Sequence, residues 1–252
     1  YFSTAHGDKP RSRTAVAFFS GIARLRLTHV ESYLRKRNIQ VARLLELGPG
    51  PGFFAQAWLK KFPATAYYAN ETDASCHAAL KRLGVRLVGD STARIAEPTI
   101  DLVVMSHVLE HVPRPLEFLL DAAAGLREGG VLFIEVPCRD FEHKPVDEPH
   151  VLFFDKEPLR RLLQRAGFDN IELSYHGLPI ERLWAPSTLQ MGLKAARIRL
   201  VANLLLAPFL PVPKGMEGLE ATERAVIGPF KAHCESPDPA WWLRALATRR
   251  PA

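Results

Sequence analysis

Cysteine is scarce in this chain. Three thiols, Cys76, Cys138 and Cys234, are scattered over 252 residues, too few for a disulfide framework and too far apart for a Cys-x-x-Cys metal site. A reducing, cytoplasmic setting is therefore expected. Long apolar runs are missing too. The longest, Ile198 to Val212, is broken by Arg199, Asn203, Pro208 and Pro211 and falls short of the roughly 20 residues of a spanning helix. No transmembrane anchor is expected. The chain opens at Tyr1 without a methionine, so its native N-terminus is expected to lie upstream. There is no internal repeat and no low-complexity tract, which excludes solenoid and disordered classes. Acidic residues are outnumbered, 27 against 33 Lys and Arg, for a formal charge of +6. The excess gathers before residue 45, where nine basic residues from Lys9 to Arg43 face only Asp8 and Glu31. Such a segment attracts phosphates or acidic ligands, and it is equally a solvated helix face. No aromatic-interleaved RNA motif or zinc-knuckle spacing accompanies it, so nucleic acid is not the expected partner.

What is present is an alternation of short apolar runs with helical periodicity. Gly21 to Arg37 has helical spacing, with Asn38 as a C-terminal stop. Ala42 to Leu47 reads as a strand, followed by Gly48-Pro49-Gly50-Pro51-Gly52 and a helix over Phe53 to Lys61. Ala66 to Ala69, Val85 to Val88, Asp101 to Met105, Val131 to Val136 and Ile171 to Tyr175 read as further strands. Ser75 to Leu83, Pro115 to Leu126 and Lys156 to Ala166 read as the helices between them. Uninterrupted runs such as Asp101 to Met105 suit central parallel strands buried on both faces. The expected fold is thus α/β, a doubly wound, mostly parallel sheet whose ligands bind at the carboxyl ends of the strands.

The glycine string lies where the first strand turns into the first helix. Glycine tolerates a tight turn and lets a ligand approach the backbone. A phosphate-binding P-loop requires Lys-Ser/Thr after its glycines, and here Phe53-Phe54-Ala55 follows. A dinucleotide fingerprint requires a small residue where Phe53 stands. Neither nucleotide reading fits. Glu46 closes the first strand, Glu71 the second, and Asp90 follows the third. Three carboxylates along one sheet edge would repel a pyrophosphate but suit a ligand carrying a sulfonium and an ammonium.

At this point the sequence resembles the class I S-adenosylmethionine-dependent methyltransferases. Leu44 to Gly52 looks like their first motif, and Asp101 to Val112, with Leu109-Glu110-His111-Val112, looks like the fourth-strand motif of one branch. Leu126 to Leu132 resembles the turn before strand five, and Leu162 to Phe168 the helix that follows. The resemblance implies a seven-stranded Rossmann-like sheet and S-adenosyl-L-methionine as cofactor. By resemblance, Gly48, Gly50 and Gly52 surround the methionine part, with Glu46 toward its amino end. Glu71 and Thr72 meet the ribose, Asp90 and Ser91 the adenine, and Ser106 the floor.

The reaction expected is methyl transfer to an oxygen or nitrogen of a small molecule or sugar unit, as in bacterial surface-carbohydrate and secondary-metabolite enzymes. Displacement at a sulfonium mainly requires alignment, and a hydroxyl or amine acceptor gains from a base. His107, His111, His143 and His150 are candidates. His150 and His107 are the expected catalytic residues, and His150, on the loop after strand five, is favoured. In the ubiquinone-biosynthesis branch a Glu, a Glu and a His at this segment are associated with a divalent metal. The matching positions here are His107, Glu110 and His111, and no metal is assigned. A non-catalytic methyltransferase-like subunit and an RNA methyltransferase are the alternatives. Intact Gly48, Gly50, Glu71 and Asp90 oppose the first, and the absence of an Asn-Pro-Pro-Tyr type of motif after strand four opposes the second.

Residues 1–40 are expected to form a helical cap, 41–177 the cofactor-binding core and 178–238 an insertion. Residues 239–252 are expected to close the sheet, with Trp241 to Ala247 antiparallel between the strands at 131–136 and 171–175. Met191 to Leu206 has a helical pattern with a broad apolar face. It reads first as a helix packed on the domain or on a second copy, then as a substrate lid or a peripheral membrane helix.

Overall fold

A computed structural model describes residues 12–89, 99–142, 150–183, 196 and 212–251. Asp90, Ser91, His143, the segment before His150 and nearly all of Met191 to Leu206 lie outside the described residues. The chain alternates α1 (Arg13–Lys36), β1 (Arg43–Leu47), α2 (Phe53–Lys61), β2 (Ala66–Asn70), α3 (Ala74–Arg82), β3 (Arg86–Leu87) and β4 (Ile100–Ser106). It continues with α4 (Pro115–Gly125), β5 (Leu126–Pro137), α5 (Lys156–Arg165), β6 (Phe168–Pro179), α6 (Ala221–Ile227), β7 (Glu235–Ser236) and β8 (Ala240–Arg249). Among the described residues no helix is long and apolar enough to cross a membrane.

The sheet runs β3-β2-β1-β4-β5-β8-β6-β7. Neighbours from β3 through β5 are parallel, whereas β8 is antiparallel to both β5 and β6. The closing strand thus stands where the sequence places it. The count is eight and not seven, because Glu235–Ser236 adds a two-residue edge strand against Tyr175 and His176. That strand has no apolar pattern of its own to announce it.

Alternation along the strands sorts side chains into two layers. Leu45, Leu47, Val103, Met105, Leu132 and Ile134 face α4 and α5, packing with Leu119, Leu159 and Leu163. Leu44, Leu102, Val104, Val131 and Phe133 face the other helices, packing with Val30, Phe54, Trp58 and Leu80. A third core joins the ends of the chain: Ile22 and Leu25 of α1 meet Met216, Leu219, Ile227 and Trp242. Helix α1 starts at Arg13, eight residues before the expected Gly21, with Ser12 accepting from Ala15 N–H as its cap. Gly21 is inside the helix because α6 presses on it. A Cβ there would lie 2.1 Å from Ile227 Cδ1.

Candidate functional site

The loop after β1 turns on glycines held in the left-handed region, with φ +65° at Gly48, +55° at Gly50 and +85° at Gly52. A Cβ at Gly48 would meet Val108 Cγ2 at 2.7 Å, and one at Gly52 would meet Leu80 and Leu83 at 2.9 Å. Gly48 N–H donates to Asn70 O at 2.9 Å, and Gly50 N–H donates to Glu71 Oε2 at 2.7 Å. Glu71 Oε1 accepts from Asp73 N–H at 2.8 Å. The Glu71 carboxylate therefore ties the loop to the end of β2. A carboxylate offers about four acceptor positions, so these two bonds leave capacity for ribose hydroxyls. Thr72 is exposed beside it.

Glu46 faces inward from β1. It is buried, and the Tyr67 hydroxyl donates to its Oε2 at 2.5 Å. Burial pushes its pKa up to about 7, against the Tyr67 hydrogen bond and the charge of Arg26. The folded state therefore holds a proton that the unfolded chain releases near pH 4.5. The stabilisation from this group is complete below about 4.5 and is lost as pH rises through about 7. In thermal melts from pH 4.5 to 7.5, Glu46→Gln is expected to remove that part of the slope. Identical slopes in the two proteins would contradict the assignment.

At the end of β4, Ser106 Oγ is buried without a hydrogen-bond partner. His107 follows in a left-handed conformation, φ +56°, with Nδ1 3.3 Å from Glu110 Oε1 and Nε2 3.5 Å from Glu135 Oε1. Burial disfavours its charged form, but the two carboxylates outweigh burial and raise its pKa. With both ring nitrogens facing carboxylates, His107 is a poor proton acceptor. Glu135, in β5, is fully buried. Arg26 of α1 donates to its Oε1 through Nε at 2.8 Å, and Arg244 of β8 donates to its Oε2 at 2.7 Å. Burial alone would raise the Glu135 pKa, yet the two guanidinium groups hold it well below the usual carboxylate range.

After β5, Asp140 and His150 form a buried pair, Nδ1 of the ring on Oδ2 of the acid. The segment around them is pinned. Arg139 N–H donates to Phe154 O at 3.1 Å, and Val151 and Leu152 N–H both donate to Glu110 O, at 2.9 and 3.1 Å. His111 stacks edge-on against His150 with centroids 4.8 Å apart. Glu110, His111 and His150 bring one ligand atom each within 4.8 Å of one another. The cluster differs from the positions matched by resemblance, to which no metal is assigned: His107 lies between Glu110 and Glu135, and His150 joins Glu110 and His111.

The family model described as a methyltransferase domain matches residues 19–173, more than half of the chain. The chain belongs to this methyltransferase family. A ubiquinone biosynthesis O-methyltransferase from Parvibaculum lavamentivorans is 34% identical over 104 residues, 39% of this chain and 41% of that protein. The chain thus spans well under half of that curated relative. A methyltransferase structure from Thermotoga maritima superposes with a TM-score of 0.56 at 16% identity, covering 94% of this chain and 92% of that one. The phosphoethanolamine N-methyltransferase 2 of Haemonchus contortus, solved with S-adenosyl-L-methionine, gives 0.56 at 15% identity, covering 89% of this chain and 53% of that one. The fold is the Rossmann-like one of S-adenosylmethionine-dependent methyltransferases.

In this methyltransferase, Glu46, Gly48, Gly50, Gly52, Glu71, Thr72, Ser106, His107 and His150 all lie at or just beyond the carboxyl ends of β1, β2, β4 and β5. The sequence reading missed Asp140, Glu135, Arg26 and Arg244. Asp140 sits ten residues before His150 with no motif joining them. The Arg–Glu–Arg cluster pairs residues more than 100 positions apart. Only the antiparallel register Glu135↔Arg244 brings that second pair together.

Proposed function

We propose that this methyltransferase methylates an oxygen, or failing that a nitrogen, of a small molecule, sugar units included, in the cytoplasm, with His150 as base and Asp140 orienting it. The observation that carries this reading is the buried Asp140–His150 pair at the end of β5, on the same sheet edge as the glycine loop. The residues present suit the cofactor: three left-handed glycines turn the loop tightly at the end of β1, Glu71 keeps acceptor capacity, and Ser106 Oγ is buried without a partner. When bound, the cofactor supplies an electrophilic methyl group on a sulfonium that leaves as a neutral thioether. The loop and Glu71 fix the donor. Asp140, on Nδ1–H of His150, sets the tautomer that puts the basic lone pair on Nε2. Nε2 would then take the proton of an acceptor hydroxyl placed beside it. The identity with the ubiquinone biosynthesis O-methyltransferase supports an oxygen acceptor.

A second reading has its own observation. Neither carboxylate oxygen of buried Glu110 has a well-formed hydrogen bond: His107 Nδ1 lies 3.3 Å from Oε1, and the imidazoles of His111 and His150 stand near it as well. One carboxylate and two histidines suit a divalent ion such as zinc, which would lower the pKa of a bound hydroxyl. The test is an acceptor screen with methyl-labelled cofactor and mass spectrometry of the product. His150→Gln is expected to slow transfer by roughly 10²–10⁴-fold while S-adenosylhomocysteine affinity holds. Loss of activity in EDTA, restored by a divalent ion, would favour the metal reading. Indifference to EDTA would favour the base, and full activity of His150→Gln would overturn both.

A further inference from the structure

The residues that follow Asp140 and His150 in the chain are apolar and exposed. Phe141, the residue after Asp140, is 51% exposed. Val151, the residue after His150, is 55% exposed, and Phe153 is 42% exposed. Only six large apolar side chains are exposed among the described residues, and three of them lie in this one place. The two phenylalanines contact each other edge to face, with centroids 5.3 Å apart and an interplanar angle of 72°. Their backbone is held by the Arg139–Phe154 and Glu110–Val151 hydrogen bonds and by the Arg139–Glu142 ion pair. The rings therefore stand in water on a fixed support, an arrangement that marks a contact site.

The size of the patch chooses the occupant. With aromatic side-chain areas of roughly 150–250 Å², two half-exposed rings and a valine present on the order of 250 Å². A standard protein interface buries about 800 Å² per partner. A membrane-surface element adds basic residues to a larger apolar face, but among the described residues next to the patch in the chain the basic Arg139 is turned to Glu142 and toward Asp155, 4.0 Å away. What remains is a small molecule with one apolar face.

We propose that Phe141, Phe153 and Val151 select the acceptor: a hydroxylated compound carrying an aromatic ring or hydrocarbon group, with the apolar part on the two rings and the hydroxyl at His150. This inference rests on the reading of His150 as the acceptor side of the site. It separates acceptors by apolar area, which the catalytic pair cannot do.

The test uses 4-alkylphenols of increasing chain length, from 4-methylphenol to 4-octylphenol, titrated into the protein saturated with S-adenosylhomocysteine. Affinity is expected to rise with chain length. In the double variant Phe141→Ser, Phe153→Ser the octyl compound is expected to bind on the order of tenfold or more weakly, with S-adenosylhomocysteine affinity unchanged. Equal affinities along the series, or the same chain-length dependence in the variant, would overturn the proposal. So would wild-type binding to phosphatidylcholine vesicles that the double variant loses, because the patch would then be a membrane contact. Failure to bind S-adenosylhomocysteine at all would instead count against the cofactor site.

Discussion

Ending the chain before Trp241 is expected to abolish cooperative unfolding, not to trim a tail. Strand β8 pairs with β5 from Val131↔Thr248 to Pro137↔Trp242, and with β6 from Phe168↔Arg249 to Pro179↔Ala240. Without it, both neighbours lose their partners in the middle of the sheet, and buried backbone groups without partners are costly. Its side chains also serve all three cores: Leu243, Ala245 and Ala247 one, Leu246 the second, Trp242 the third. Large buried side chains contribute about 2–5 kcal/mol each, and a domain's whole net stability is about 5–15 kcal/mol. Glu135 would further lose Arg244, one of its two guanidinium partners. Circular dichroism on heating should show a sigmoidal transition for the full chain and none for the truncated one. A truncated protein with an unchanged Tm and unchanged S-adenosylhomocysteine affinity would contradict this account of β8.

Gly50→Val is expected to eliminate measurable cofactor binding while the domain stays folded. At φ +55° a β-branched residue is strained, which costs on the order of 1–3 kcal/mol. The new side chain would also stand beside the N–H that anchors Glu71. A fall in S-adenosylhomocysteine affinity of about 100-fold or more corresponds to about 2.7 kcal/mol. Gly167→Val is the control. Gly167 has φ +85° and nothing within 4 Å of an added Cβ, and it lies between α5 and the first residue of β6. It should strain the backbone similarly and leave the affinity within a few-fold. Equal losses in the two variants would mean that strain and not the site is responsible.

Local pattern carried much of this structure. Helix α2 spans Phe53–Lys61 as its spacing predicts, because the glycine turn before it and Phe62-Pro63 after it leave little choice of ends. Strand β8 was legible only through family resemblance, since Arg-Ala-Leu-Ala is equally good helix sequence. Its position between β5 and β6 depends on contacts with residues more than 60 positions away. Strand β6 runs to Pro179, four residues past the expected Tyr175, because β8 continues to pair with it through Pro179↔Ala240. The loop glycines and Glu71 were readable as strand-end residues in order along the chain. Asp140 and the partners of Glu135 were not, because a buried ion pair formed across strands leaves no local signature.

Cofactor and acceptor are expected to meet along the sheet edge from the Gly48–Gly52 loop to His150. The most direct measurement is a crystal structure of the protein with S-adenosylhomocysteine. The ribose hydroxyls are predicted on the Glu71 carboxylate, the amino-acid end against Gly48 and Gly50, and the sulfur facing the space beside Ser106 and His150. A ligand bound elsewhere, or one whose sulfur points away from the Asp140–His150 pair, would contradict it.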